Sequence, residues 1–152
     1  MDVVVEHIPD PENVSREIFR PQMTNAEAVV VYDMLFEFPN GLPESVIWRR
    51  HCETEGEVHD IGIAHESAKK ARRPDVEYLG FGTASAGRIR SIAEQIRDGH
   101  GFEVKHEPSE GNQHAEVAFQ LINGVSYGEL KRNQKQELKF ILGNLFRPMN
   151  PR

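Results

Sequence analysis

This sequence has a single cysteine and no long apolar run. Cys52 is the single cysteine in 152 residues, so an internal disulfide and a cysteine-rich zinc site are excluded. The longest unbroken apolar run, residues 28–32, has five residues, whereas a helix that spans a bilayer needs about 20. The first residues lack a basic start and an apolar stretch, so we expect no secretory signal. A cytoplasmic protein without a membrane segment is predicted.

Basic residues are also in the minority. The chain has 18 Lys and Arg against 24 Asp and Glu, a net charge of -6. A domain that binds phosphate backbones without sequence preference is expected to have a pI of about 9 or more, and the pI here is 5.6. Generic nucleic-acid binding is therefore not expected. The charge is unevenly placed, because residues 1–66 carry 14 acidic and 4 basic side chains, whereas residues 67–152 carry 10 acidic and 14 basic.

The remaining composition is typical of a globular protein. Hydrophobic residues make up 38% and charged residues 28%, and a chain of this length can bury a core without disulfides. Alternation and helical periodicity predict an α+β fold: a single domain with a largely antiparallel sheet of about five strands and two or three helices. The predicted strands are 28–38, 45–50, 77–82, 102–106 and 114–122, and the predicted helices are 58–71, 84–96 and 129–146.

Prolines define the expected domain boundaries. Pro9, Pro11 and Pro21 predict an extended lead-in over residues 1–25, with at most one helical turn, draped over the core. The domain proper is expected over residues 26–147, with 148–152 as a tail. The most regular alternation, 28–38, is expected to form a hairpin with 45–50 across a turn at Asn40-Gly41.

The pair His59-Asp60 is similar to the doublet of HD-type metal phosphohydrolases, in which the two residues ligate a metal that activates water. That family also needs a late Asp ligand, and this chain has no Asp after Asp98. Without that late Asp, membership of this family is not predicted.

A second string, His114-Ala115-Glu116, is similar to the zinc-ligand and proton-shuttle motif of the zinc-dependent deaminases. Those enzymes take two further zinc ligands from later cysteines, and no cysteine follows Cys52. Deaminase chemistry is thus not predicted, and neither is a cofactor.

The hairpin 102–122 nevertheless carries the richest polar cluster of the chain. His114 and Glu116 share the outward face of its second strand, where Lys105 or Glu107 lies opposite, and His106 is expected to point inward at the sheet edge. A solvated hairpin face explains this pattern structurally. The functional alternatives are a catalytic site in which His114 is a general base oriented by Glu116, or a metal bound by His106, His114 and Glu116.

A second candidate site is the glycine-rich turn of residues 80–88. Ser85 and Gly87 lie where a strand passes into a helix, and backbone N–H groups at a helix start can bind an anion. Arg88 and Arg90 would complete a ligand-binding site for a phosphate or carboxylate. The structural alternative is a tight strand-to-helix connection with exposed arginines.

Two functions follow as expectations, and whether the protein is an enzyme stays open. The first is a non-enzymatic accessory or protein-interaction module that binds a protein partner or a second copy. Its contact surface would include the acidic front of the chain and the polar first half of the last helix, residues 129–137. The alternative is a small enzyme or binding domain for a phosphate- or carboxylate-bearing small molecule, built on the two candidate sites.

Overall fold

A six-stranded antiparallel sheet organises the chain, of which this computed structural model describes residues 4–152. Its strands are β1 (Asn13–Arg20), β2 (Glu44–Trp48), β3 (Glu77–Ser85), β4 (Gly101–His106), β5 (His114–Gln120) and β6 (Asn150–Pro151). They lie in the order β4-β5-β2-β1-β3-β6. The α-helices are α1 (Glu55–Lys70), α2 (Ala86–Arg90) and α3 (Arg132–Asn144). The predicted single α+β domain with an antiparallel sheet is confirmed, with six strands where about five were predicted.

The sheet has two different faces because side chains alternate along each strand. One face, which we call the aromatic face, is fully covered and packs against α2 and α3. Its buried strand residues include Val14, Trp48, Phe102 and Ala115, and Phe36 and Phe146 from outside the strands belong to the same core cluster. The other, the α1 face, is covered by α1 over Ile47, Tyr78 and Phe81. Its β4–β5 end is only partly buried, and that is where polar residues of the hairpin lie.

Residues 13–20 are the first clear departure from prediction. They were expected in a lead-in with a helical turn, but they form β1, a central strand paired with both β2 and β3. Val14 and Ile18 are fully buried. The prolines at positions 9, 11 and 21 lie outside the strand, where a missing N–H costs no ladder hydrogen bond. The expected tail is likewise in the sheet, since β6 pairs with β3.

The alternating segment 28–38 is not a strand. It turns through a short 3₁₀ helix, Tyr32–Met34, and Leu35, Phe36 and Phe38 are all fully buried, which a strand with one exposed face does not allow. The Phe36 ring packs on Phe146, with centroids 5.2 Å apart. The predicted hairpin with 45–50 is therefore wrong, and β2 pairs with β1 and β5 instead.

The other elements follow the predictions more closely. The β4–β5 hairpin is confirmed, and α1 starts at Glu55 behind the capping side chain of Thr54. The predicted helix 84–96 is divided into α2, which Ser85 caps, and a 3₁₀ segment, Ser91–Gln95. The helix α3 is shorter than predicted at both ends. Among residues 4–152, no helix combines the length and apolar character needed to cross a membrane.

Candidate functional site

The β4–β5 hairpin separates the three predicted catalytic residues onto two faces of the sheet. In its register His106 pairs with Ala115 and Lys105 with Glu116. His106 therefore points to the aromatic face, whereas His114 and Glu116 point to the α1 face. The structure brings the last two together and leaves His106 apart from them.

Both ring nitrogens of His106 have partners inside the protein. Nδ1 accepts the backbone N–H of Glu6 at 3.0 Å, and Nε2 donates to the carbonyl oxygen of Asn112, also at 3.0 Å. The ring is 4% exposed and lies edge-on to Trp48, with centroids 5.0 Å apart. These bonds hold the N-terminal segment and the hairpin loop, so we assign His106 a structural role and leave it out of the site.

The imidazole of His114 is oriented from both sides. Nδ1 donates to the backbone carbonyl of Glu107 at 2.7 Å, because a carbonyl can only accept. The neutral ring then keeps Nε2 as an acceptor, and Nε2 lies 3.1 Å from the hydroxyl of Ser45 on β2. A carboxylate oxygen of Glu110 lies 3.8 Å from the same nitrogen. His114 can thus act either as a base toward Ser45 or as a ligand through Nε2.

Two carboxylates complete the cluster around His114. One potential ligand atom from each of Glu107, His114 and Glu116 lies within 4.8 Å of the others. The Ser109 hydroxyl donates to Glu107 and is the main reason that the pKa of this carboxyl is below its usual value, with the nearby His114 contributing. Glu107 was not among the predicted site residues, although the alternation of the hairpin already put Lys105 or Glu107 opposite His114 and Glu116.

The N–H groups at the start of α2 are already bonded within the protein. Those of Ala86 and Gly87 donate to backbone carbonyls of Glu12 and Asp10, at 2.8 and 2.9 Å. The N–H of residue 88 donates to the Ser85 hydroxyl at 3.2 Å. A Cβ at position 87 would come 2.9 Å from the side chain of Asp10. No donor of this first turn is left for an anion, so Ser85 serves as the helix cap and Gly87 allows the close approach of Asp10.

Arg90 is also committed to internal partners. Its guanidinium pairs with Glu103 and Asp10, at 2.5 and 2.8 Å, and donates to the carbonyls of Ile8 and Val104. It therefore ties the N-terminal segment to β4. Arg88 is exposed and lies on α2, which packs on the opposite face of the sheet from His114. The predicted ligand-binding group Ser85, Gly87, Arg88 and Arg90 does not form one pocket with the hairpin cluster.

A pocket that was not predicted from the sequence lies at the C-terminal end of α1. We call it the cationic pocket, and its volume is about 330 Å³. Its apolar lining consists of Phe19, Met23 and Val76, and its rim of Lys69, Arg72 and Arg73. The Lys69 ammonium lies 4.9 Å from the centroid of the Phe19 ring. The pocket combines an apolar floor with three positive charges.

A groove leads from the cationic pocket to the hairpin. A second cavity shares Phe19, Met23 and Lys69 with the pocket, and it extends to Ser45 and His65. A third and smaller one, about 100 Å³, continues from Ser45 and His65 to His114. From the sequence, the basic cluster 69–73 was explained by its favourable interaction with the negative end of the α1 dipole. That explanation did not indicate the apolar floor that β1 forms beneath the cluster.

Comparison with protein-family models, with curated proteins and with solved structures found no match to the chain. Function is therefore inferred from the geometry of its own residues.

Proposed function

We propose that the protein is a binding domain for a small amphiphilic anion, which it holds in the cationic pocket. The phosphate or carboxylate group would meet Lys69, Arg72 and Arg73, and the apolar part would lie over Phe19 and Met23. This places the anion site at the end of α1 and not at the start of α2, whose donors and Arg90 are already used.

The observation that supports this proposal is that three cations without carboxylate partners surround an apolar floor. Within residues 4–152, none of the three rim cations forms an ion pair with a carboxylate. Like charges gathered at one rim repel one another, and an anion relieves that repulsion. Pockets of about 300 Å³ or more are typical of small-ligand sites, and a few polar groups around an apolar lining orient the ligand.

Titration by NMR with octanoate tests this proposal. Octanol, which has only the apolar chain, and inorganic phosphate, which has only the charge, serve as single-feature probes. We expect octanoate to shift the amide signals of Phe19, Met23 and Val76, and either single-feature probe to bind at least tenfold more weakly. Arg72→Ala should weaken octanoate binding several-fold. The exposed Arg88→Ala is the matched control and should leave it unchanged. Equal binding of octanoate and octanol, or equal losses in both variants, would overturn the anion assignment.

Self-association through α3 is the second candidate function. The first half of α3 is exposed, as expected from residues 129–137, and Phe140 on the same helix is 52% exposed. Lys131 and Arg132 are exposed at its start. They complement the acidic front of a second copy, since residues 1–66 carry a balance of -10. We therefore name a second copy of this chain as the partner.

Light scattering after size exclusion measures the mass that this candidate requires. A dimer should form at low salt and dissociate when Lys131, Arg132 and Lys135 are changed together to Glu. Phe140→Ser should weaken it without changing the monomer fold, as checked by circular dichroism. A monomer at every concentration and salt would exclude self-association, while leaving the cationic pocket unaffected.

A cytoplasmic location is also part of the proposal. Cys52 is 2% exposed, and burial raises the pKa of its thiol. A single protected thiol needs no oxidising compartment, which supports this location.

A further inference from the structure

We infer that Glu107, His114 and Glu116 form a binding site for a divalent transition-metal ion such as Zn²⁺ or Mn²⁺. This site is separate from the cationic pocket and does not depend on the proposed anion ligand. It lies on the α1 face at the partly buried end of the β4–β5 hairpin.

The spacing of the three side chains is close to that of a coordination sphere. Their potential ligand atoms lie within 4.8 Å of one another. Bonds of about 2.0 to 2.2 Å from a metal to nitrogen and oxygen place neighbouring ligands about 3 to 4 Å apart. Rotation of the two glutamate side chains would bring the ligand atoms to these distances. His114 and Glu116 stand on β5, and Glu107 directly follows β4, where its backbone N–H donates to the carbonyl of His114 at 3.1 Å, so the backbone already holds the three residues side by side.

The orientation of His114 is that of a metal ligand. A ligating histidine usually donates its other ring N–H to a carbonyl or carboxylate, which fixes the tautomer and the ring plane. Here Nδ1 donates to the carbonyl of Glu107 at 2.7 Å, which leaves Nε2 as the ligand nitrogen. The Glu107 carboxylate lies 3.5 Å from Nδ1, so it has to turn toward Nε2 to join a bound ion. Glu110 has an oxygen 3.8 Å from Nε2, so a fourth protein ligand is within reach.

The donor set determines the class of ion. One imidazole with two or three carboxylates suits Zn²⁺ and Mn²⁺, whereas Ca²⁺ and Mg²⁺ are bound mainly by oxygen ligands. Two carboxylates against one neutral imidazole also neutralise the charge of a divalent ion. We therefore expect Zn²⁺ and Mn²⁺ to bind more tightly than Mg²⁺ at the same pH.

Lys105 provides an internal check on this assignment. It pairs with Glu116 in the register of the hairpin and is exposed on the same face. Its positive charge opposes a cation bound to Glu116. Removing that charge should therefore strengthen metal binding, whereas it would not affect adventitious binding elsewhere on the acidic chain.

Calorimetry with Zn²⁺ and amide broadening by Mn²⁺ test the site on the full chain. Mn²⁺ should broaden signals around residues 107 and 114–116 first. His114→Ala and Glu116→Gln should each weaken Zn²⁺ binding at least tenfold, and Lys105→Gln should strengthen it roughly threefold. The matched controls His7→Ala and Glu94→Gln change exposed residues and should have no effect.

The outcomes separate a built site from general attraction to an acidic protein. Broadening centred elsewhere, or equal losses in the site and control variants, would overturn the assignment. So would tighter binding of Mg²⁺ than of Zn²⁺. Glu116→Gln changes a half-buried residue and should keep the hairpin. Circular dichroism of this variant checks that a loss of binding does not come from unfolding.

Discussion

The carboxylate of Glu66 in α1 accepts the backbone N–H of Tyr78 in β3 at 2.6 Å. The same carboxylate pairs with Arg152 at 3.0 Å, and its side chain is nearly buried. One residue thus joins α1, the sheet and the C-terminal end of the chain. Because α1 forms one wall of the groove, this contact also holds the cationic pocket in place.

Removing the Glu66 side chain should destabilise the protein. Glu66→Ala leaves the buried N–H of Tyr78 without an acceptor, which typically costs about 1 to 3 kcal/mol. Glu66→Gln keeps an acceptor oxygen and should cost less. Urea unfolding of the two variants measures the difference. Equal stability of Glu66→Ala and the parent protein would show that the hydrogen bond is not needed.

Stability should fall in acid partly because of the same residue. The bond from Tyr78 is the main reason that the pKa of Glu66 is below the usual 4.5, and Arg152 and Lys70 lower it further. A lowered folded-state pKa adds stability above 4.5 that is lost as the pH falls through the folded value. Between pH 7 and pH 3, the melting temperature of Glu66→Gln should therefore fall less than that of the parent protein. Identical pH profiles would contradict this linkage.

His65 should titrate above its usual range. Its ring lies 2.7 Å from the Glu17 carboxylate, and this hydrogen bond is the main cause that raises its pKa above 6.5. The associated stability is present below 6.5 and is lost as the pH rises through the folded-state pKa. The ring C–H signals in NMR measure the midpoint. Glu17→Gln should lower it, and the exposed Glu27→Gln should not.

Gly143 should not tolerate a side chain. A Cβ there would overlap the carbonyl oxygen of Tyr32, since α3 packs directly on that 3₁₀ helix. Gly143→Ala should therefore cost about 1 to 3 kcal/mol, the range for overpacking. Gly56→Ala is the matched control in α1, where open space surrounds the Cβ, and it should stabilise by about 0.5 to 1 kcal/mol. Chemical denaturation that ranks the two variants in reverse would contradict this packing.

Local periodicity predicted those elements whose packing agrees with it. The β4–β5 hairpin alternates and has one buried face, so the shared face of His114 and Glu116 followed directly. The helix α1 has a capping residue and a basic end, and it was also predicted. Segment 28–38 alternates as well, but its Phe36 and Phe38 rings are buried together, and core packing outweighed the strand pattern.

Composition and alternation by themselves determined that this is one α+β domain with an antiparallel sheet and a His–Glu cluster on a hairpin. Such patterns depend on residues that are only a few positions apart in the sequence, and a sequence pattern is informative over that separation. Tertiary structure alone decided that residues 13–20 form a central strand, and that Arg90 and His106 serve internal contacts. It also decided that Phe19 lies beneath Lys69 to form the cationic pocket. These are contacts between distant segments, and they depend on which strands pair, which no local pattern specifies.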